Sequence, residues 1–338
     1  MKRPIIAFFL ALFVAGTLGA VDAHFGPLAA VGTFAALNLA ALPFASAGSA
    51  VVGLQPFLKM PDFTGNMATS GKVACLFPNG VAYHKAIFRF QDGGVDMTVA
   101  QIKARVETIV AKVNGKPVRE WTPSYLDIAN ATNGAQYAMS DGYVIDYFSE
   151  DWRRTMEGEE RGAWGTEGID GITYEIKFTG TAVDPSVEAY ALIEEANRPF
   201  RAYPVRHVRT YAGMVAVNGD SQWPGAGILR EPGLWYDRLH FMSSLITNVD
   251  VRLNGVTKWD NIPRAYLAEI LAKRGLALQA NTYSLAFSGS SQQLVHQLAS
   301  FYVNGSGQAV PVNDLRLKWT GTGAGNFDIV TEQYQIFK

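Results

Sequence analysis

The eight residues TYSLAFSG, Thr282–Gly289, nearly repeat TYEIKFTG, Thr173–Gly180. Both alternate strictly, so Tyr283, Leu285 and Phe287, like Tyr174, Ile176 and Phe178, share one face of a half-buried strand. Further matches follow in the same order. YHKAIFRF from Tyr83 is answered by YDRLHFMS from Tyr236, and VNGKPVREWTPSYLDI from Val113 by LNGVTKWDNIPRAYLAEI from Leu253. SVEAYALI near Ser186 parallels VTEQYQIF near Val330. Four matches in one order predict a duplicated domain, which constrains the fold more than any composition can.

Each Asn-Gly pair is flanked by alternating apolar residues, KARVETIVAKV before Asn114 and NVDVRL before Asn254. That pattern predicts hairpins, because both central residues of such a turn need positive φ. A short helix is expected after each hairpin. In the second, Asn261 caps, Pro263 sits in the first turn, Ile262, Leu267, Ile270 and Leu271 form the apolar stripe, and Gly275 ends it. Its weaker counterpart covers Pro123–Asn130, and a further helix is expected over Ser290–Phe301. The copies differ in spacing, 59 residues from Asn114 to Thr173 against 28 from Asn254 to Thr282. The surplus is assigned to SEDWRRTMEGEERGAWGTEG, read as an exposed, charged excursion. ANRPFRAYPVRHVRTY reads as a linker near residues 196–211. The outer face of the repeated strand carries Glu175 and Lys177 in the first copy but Ser284 and Ala286 in the second. The second face is therefore expected to lie under a neighbouring chain or the Ser290 helix. Short strands with hairpin turns and a few short helices predict an all-β chain of two tandem β-sandwiches.

A length of 338 residues allows two domains, and 33 glycines with only 17% charged residues suit short strands and many turns. Lys plus Arg number 29 and Asp plus Glu 30, which excludes a broad electrostatic pull toward nucleic acid or an anionic membrane surface. Cys75 is the only cysteine, so no internal disulfide forms, and its apolar neighbours mark it as a small buried hydrophobe. Residues 1–53 read differently from the rest. Lys2 and Arg3 precede an apolar run from Pro4 to Val21, a second runs from Pro27 to Phe44, and no charged residue lies between Asp22 and Lys59. This extension reads as a signal or membrane-anchoring segment, a membrane-associated extension of a soluble body, or an over-called start.

Patterns that carry chemistry are missing or broken. His24, His84, His207, His240 and His296 never fall at metal-ligand spacing. GNMATSGKV, Gly65–Val73, imitates a phosphate loop but has five residues between its glycines, and Val73 stands where a hydroxyl is needed. GTGAGN from Gly321 reads as a hairpin turn, and no G-x-S-x-G occurs. Glu150, Asp151, Glu157, Glu159 and Glu160 beside Trp152 and Trp164 suggest a glycosidase pair with a stacking platform, but interleaved Arg153, Arg154 and Arg161 favour a solvated loop. Arg198, Arg201, Arg206 and Arg209, with Phe200, Tyr203 and Tyr211, suit linker solvation or interchain pairing better than phosphate binding. No residue is assigned a catalytic, cofactor-binding or metal-binding role.

PFLKMPDF from Pro56, FPNGVAYHKAIFRF from Phe77, GITYEIKF from Gly171, VDVRLNGVTKWDNI from Val249, NTYSLAF from Asn281 and VNDLRLKW from Val312 occur in an order that resembles one family. The chain is similar to the double jelly-roll major capsid proteins of corticovirus-type bacteriophages, tailless icosahedral viruses with an internal membrane. The resemblance runs from about Leu54 to the C-terminus. It implies two eight-stranded jelly rolls, at 54–197 and 212–338 with a linker at 198–211, after the 1–53 extension. It also implies a homotrimer of near-sixfold outline that packs with neighbouring capsomers and other virion proteins over an internal lipid membrane. Structural calcium at subunit contacts is implied too, with no ligand residue matched. The expected role is a non-enzymatic virion capsid subunit assembled in the host cytoplasm, with neither specific nucleic acid nor small-molecule substrate. The alternative is an exported β-sandwich that binds or hydrolyses glycans.

Overall fold

The computed structural model describes residues 56–153, 162–195, 198–200, 205–216, 219–222, 234–253, 255–287, 298–299, 301–303, 305–306, 308–311 and 315–335. The 1–53 extension lies outside them. Gln55–Lys338 form one compact unit.

The first half starts with β1 (Phe57–Lys59), β2 (Thr64–Gly65), β3 (Lys72–Phe77), β4 (Ala82–Asp92) and β5 (Val95–Asp96). Helix α1 (Val99–Arg105), closed by a Thr98–Gln101 capping box, leads into the hairpin of β6 (Val106–Val113) and β7 (Lys116–Trp121). Asn114 and Gly115 turn that hairpin with φ of 51° and 75°. Helix α2 (Pro123–Thr132) begins on a Thr122 side-chain cap with proline in its first turn. β8 (Tyr143–Tyr147), β9 (Ile172–Phe178) and β10 (Pro185–Glu194) complete the half.

The second half repeats the plan with β11 (Val205–Ala216), β12 (Gly219–Gln222), β13 (Leu234–Phe241), the hairpin of β14 (Ile246–Leu253) and β15 (Val256–Pro263), and helix α3 (Arg264–Lys273). After it come β16 (Tyr283–Ala286), β17 (Leu298–Ala299), β18 (Phe301–Val303), β19 (Ala309–Pro311), β20 (Leu315–Gly321) and β21 (Gly325–Gln335). GTGAGN is the turn between the last two.

In the first half β1, β10, β4 and β8 make one sheet, and β7, β6, β9 and β3 the other. In the second half the same places are held by β11, β21, β13 and β16, and by β15, β14, β20 and β12. Each half is thus an eight-stranded jelly roll. Each has its own apolar core, one around Phe88, Tyr174, Ile176 and Trp164, the other around Phe241, Tyr283, Leu285 and Trp319. Burial of each such side chain contributes about 1.5–3 kcal/mol.

Strand registers fix the correspondence residue by residue, and they correct the first match. β16 pairs with β13, Leu285 opposite Leu239, as β8 pairs with β4, Asp146 opposite Ala86. β9 instead lies in the opposite sheet between β3 and β6, and its true counterpart is β20. β9 and β16 look alike in sequence because each shows its own core an alternating aromatic and aliphatic face. With β8 and β16 matched, the spacing discrepancy disappears: Val144 follows Asn114 by 30 residues and Tyr283 follows Asn254 by 29. SVEAYALI and VTEQYQIF do lie in corresponding strands, but slipped by four, since Tyr190 stands opposite Ile87 and Val330 opposite His240. Even the irregularities repeat: both of these strand pairs have a bulge, at His84 in one and Asp237 in the other.

Other expectations change as well. Asn261 does not cap α3; it sits in β15 with φ 45°, and its backbone N–H donates to the Asp250 carboxylate, while Pro263 holds the cap position with no side-chain cap bond. Of the helix expected over Ser290–Phe301, residues 290–297 and 300 lie outside the described residues, and 298–299 and 301 are strand. Residues 205–211 of the linker form the start of β11. The charged excursion is anchored: Glu150, Trp152 and Trp164 are all buried, although 154–161 lie outside the described residues. Ser284 and Ala286 are buried, on the sheet face that turns toward the first jelly roll of the same chain; the Ser290 segment expected over them lies outside the described residues.

Candidate functional site at the junction of the two sandwiches

β7 is the edge of one sheet of the first jelly roll and β11 the edge of one sheet of the second. They meet side by side in parallel, Arg119 opposite Val208, so that one sheet of ten strands runs through both halves. A cavity of about 260 Å³ follows the joint, lined by residues 117–120 and 208–211.

Arg119 is fully buried and donates to the Asp146 carboxylate at 2.6 Å and to the Tyr147 carbonyl at 2.8 Å. Tyr174 donates its hydroxyl to the other Asp146 oxygen at 2.7 Å. The guanidinium also lies over the Phe148 and Trp164 rings, at 5.1 and 4.8 Å. Burial, followed by the Asp146 charge, pushes the Tyr174 hydroxyl well above its usual pKa, so it remains a donor. Such a group contributes less by Coulomb attraction than it would cost if one member were removed.

Farther along the same sheet face, His240 is held between Ser284 Oγ at 2.8 Å and Glu332 Oε1 at 2.7 Å, all three buried. Arg238 donates to Asn133 at the end of α2 and lies over the Trp152 ring. The Ala277 N–H donates to the Thr132 carbonyl, Gln279 to the Ala131 carbonyl, Tyr334 to Glu150, and Tyr125 to Asp328. These bonds join the end of α2 and the anchored excursion of one half to the sheet of the other.

Among the described residues, those singled out in the sequence are taken up by packing and pairing. His84 is buried with Nε2 3.5 Å from Glu194. His207 is buried opposite Gln333, and burial, with Arg209 and Arg119 adding to it, pushes its imidazole down to about 3, so it stays neutral. Trp152 and Trp164, 4% and 2% exposed, have no face left to stack on a sugar. Asp151 pairs with Lys85 and Ser149. Arg198 pairs with Glu194, and Phe200 belongs to the first core. His24, His296, Glu157, Glu159, Glu160, Arg154, Arg161, Arg201 and Tyr203 lie outside the described residues. Gly65–Val73 is the hairpin of β2 and β3. Burial lifts the Cys75 thiol to about 11, and it donates to the Pro61 carbonyl. Among the described residues no three of His, Cys, Asp or Glu are placed to hold a metal ion. None of their helices is long and apolar enough to cross a membrane. The junction residues themselves were missed in the sequence, because their pairing depends on which strands become edges.

The family models for the viral coat protein P2 N-terminal and C-terminal domains match residues 57–195 and 205–336. No curated protein sequence matches the chain. Among solved structures, the major capsid protein P2 from bacteriophage PM2 matches with a TM-score of 0.70 at 17% identity, over 84% of this chain and 98% of that one. The STIV MCP, from Sulfolobus turreted icosahedral virus, gives 0.56 at 11% identity over 84% and 97%. PBCV-1 VP54, fitted into a reconstruction of the virophage Sputnik, gives 0.54 at 9% over 85% and 96%. These likenesses show the double jelly-roll fold. With both domain models matched in order, the chain belongs to the viral coat protein P2 family and is a capsid protein of the virion shell.

Proposed function

We propose that three copies of the chain form a capsomer of near-sixfold outline, and that such capsomers tile an icosahedral shell above an internal membrane. The observation that supports this is the duplication itself. One chain carries two jelly rolls whose strands, hairpins, helices and bulges correspond, fixed edge to edge by β7 and β11. A threefold ring of such chains presents six similar sandwiches and packs into a hexagonal layer. The division between the rolls falls within residues 198–204. The role is structural, not catalytic: the buried polar groups at the junction are tied to one another, Arg119 to Asp146 and the Tyr147 carbonyl, His240 to Ser284 and Glu332. Residues 1–53, with their two apolar runs, supply the contact with lipid, and assembly takes place in the host cytoplasm.

Light scattering on the full-length chain in mild detergent tests the reading, with electron microscopy of the same sample. The expected result is three times the chain mass and hexagonal arrays. A folded chain that stays monomeric at every concentration overturns it.

A further inference from the structure

The junction inside the chain joins the outer edge of β7 to the outer edge of β11. Their counterparts are β15 and β1, and among the described residues neither has a partner on its outer edge. Arg119 and Trp259 hold the same position, opposite Ala111 and Val251 in the corresponding hairpins. Val208 and Phe57 likewise correspond, opposite Glu332 and Leu192. Tyr125 and Tyr266 are each the third residue of the helix that follows. Asp328 and Glu188 correspond, each two residues before the matched Val330 and Tyr190.

Where the junction is made, these positions are covered: Arg119 and Val208 are buried, and Tyr125 donates to Asp328 across it. Where it is not made, Trp259 is only partly buried and apolar side chains stand open on and beside both edges. Phe57 is 57% exposed, Leu58 45%, Val256 56% and Tyr266 69%. β15 is exposed or half-exposed along its whole length. A long unpaired edge bearing apolar side chains invites strand pairing.

We propose that the free edge of β15 receives the free edge of β1 from a second copy of this chain, in the parallel arrangement that joins β7 to β11. Trp259 then stands opposite Phe57 of the second copy, and Tyr266 donates to its Glu188. One contact does not carry over. The Asn133 and Arg238 positions are held by Arg274 and Lys85, which are engaged within their own jelly rolls, Arg274 over the Trp259 ring and Lys85 with Asp151. The inference rests on the reading that the chain assembles with copies of itself, and it names the surface by which it does so.

The test is a disulfide cross-link in the full-length chain. Opposed strand residues lie within disulfide reach, and the native Cys75 is buried. Phe57→Cys and Trp259→Cys are made as separate variants and co-assembled from a mixture. Oxidation is expected to give a disulfide-linked pair from the mixture, and none from either variant alone. Because Trp259 also packs on Phe287, Phe57→Glu gives a second readout that leaves that contact intact. It is expected to convert the oligomer to monomer with unchanged circular dichroism. Trimers that form normally, fail to cross-link and tolerate Phe57→Glu overturn the edge pairing and leave the trimer standing. A native chain that never oligomerises removes the reading beneath it.

Discussion

Arg119, Asp146 and Tyr174 in the first jelly roll occupy the same register positions as Trp259, Leu285 and Leu317 in the second. One core thus holds a buried ion pair with a tyrosine where the other holds an indole and two leucines. The backbone plan is the same in both. The fold therefore demands volume and alternation at these sites, while the polar set depends on its own members being satisfied together. The first set also sits beside an edge that Val208 closes within the chain. The second sits beside an edge left open.

The sharpest way to break this comparison is to mix the two sets. Leu285→Asp places in the second core the carboxylate that the first core accepts, but without an arginine beside it. An unpaired charge in that position is expected to abolish folding, read as loss of soluble protein. Pairing it with Trp259→Arg should recover part of the soluble yield. If the single variant folds normally, the two positions are not equivalent. The reciprocal change, Asp146→Ala, leaves the guanidinium and the Tyr174 hydroxyl buried without their acceptor. It should cost about 3–5 kcal/mol, seen as a lower urea midpoint.

Acid sharpens the comparison next. His207 and Gln333 stand where the first jelly roll has Pro56 and Ile193. The folded imidazole is held down to about 3, against 6.5 for an ordinary histidine. Between those values the unfolded chain binds a proton that the folded chain does not. Stability from this group is therefore full above pH 6.5 and falls by about 1.4 kcal/mol per pH unit down to about pH 3. His207→Leu should flatten that part of the profile in acid titrations of the urea midpoint. An unchanged slope would assign the sensitivity elsewhere.

The tyrosine pair separates folding from assembly. Tyr125→Phe removes the bond to Asp328 inside the chain and should cost about 1.5–3 kcal/mol of folding stability. Tyr266→Phe, at an exposed site, should leave the urea midpoint unchanged and weaken association about tenfold. Equal effects of both changes on folding would contradict the proposed edge pairing.

Much of this was legible in the sequence. The duplication, both hairpins, both short helices and the inward faces of β9 and β16 follow from period and turn chemistry. What the sequence hid was correspondence. Alternation tells which side of a strand is buried, not which sheet holds it, so TYSLAFSG was matched to a strand from the opposite sheet. The excursion around Glu150 and Trp152 looks exposed in the sequence because its charges are dense, yet both residues are buried. In the fold Tyr334 and Arg238 reach Glu150 and Trp152 from about 180 and 90 residues away, and no local pattern records that.

The outer faces offer the mildest contrast. Glu175 in β9 is bonded by Lys72 and Lys112, each at 2.6 Å, whereas its counterpart in β20 is Lys318, opposite Asp250. Burial raises the Glu175 pKa, but the two lysine bonds outweigh it and hold the carboxyl below its usual range. The stability it contributes is present at neutral pH and lost as pH falls through that lowered value. Glu175→Gln should therefore cost only about 0.5–1 kcal/mol in low salt, less in high salt, and nothing once the native carboxyl is protonated. A larger or salt-independent loss would mean that this face is not a solvated one, and that the two sandwiches differ on the outside as much as they do in their cores.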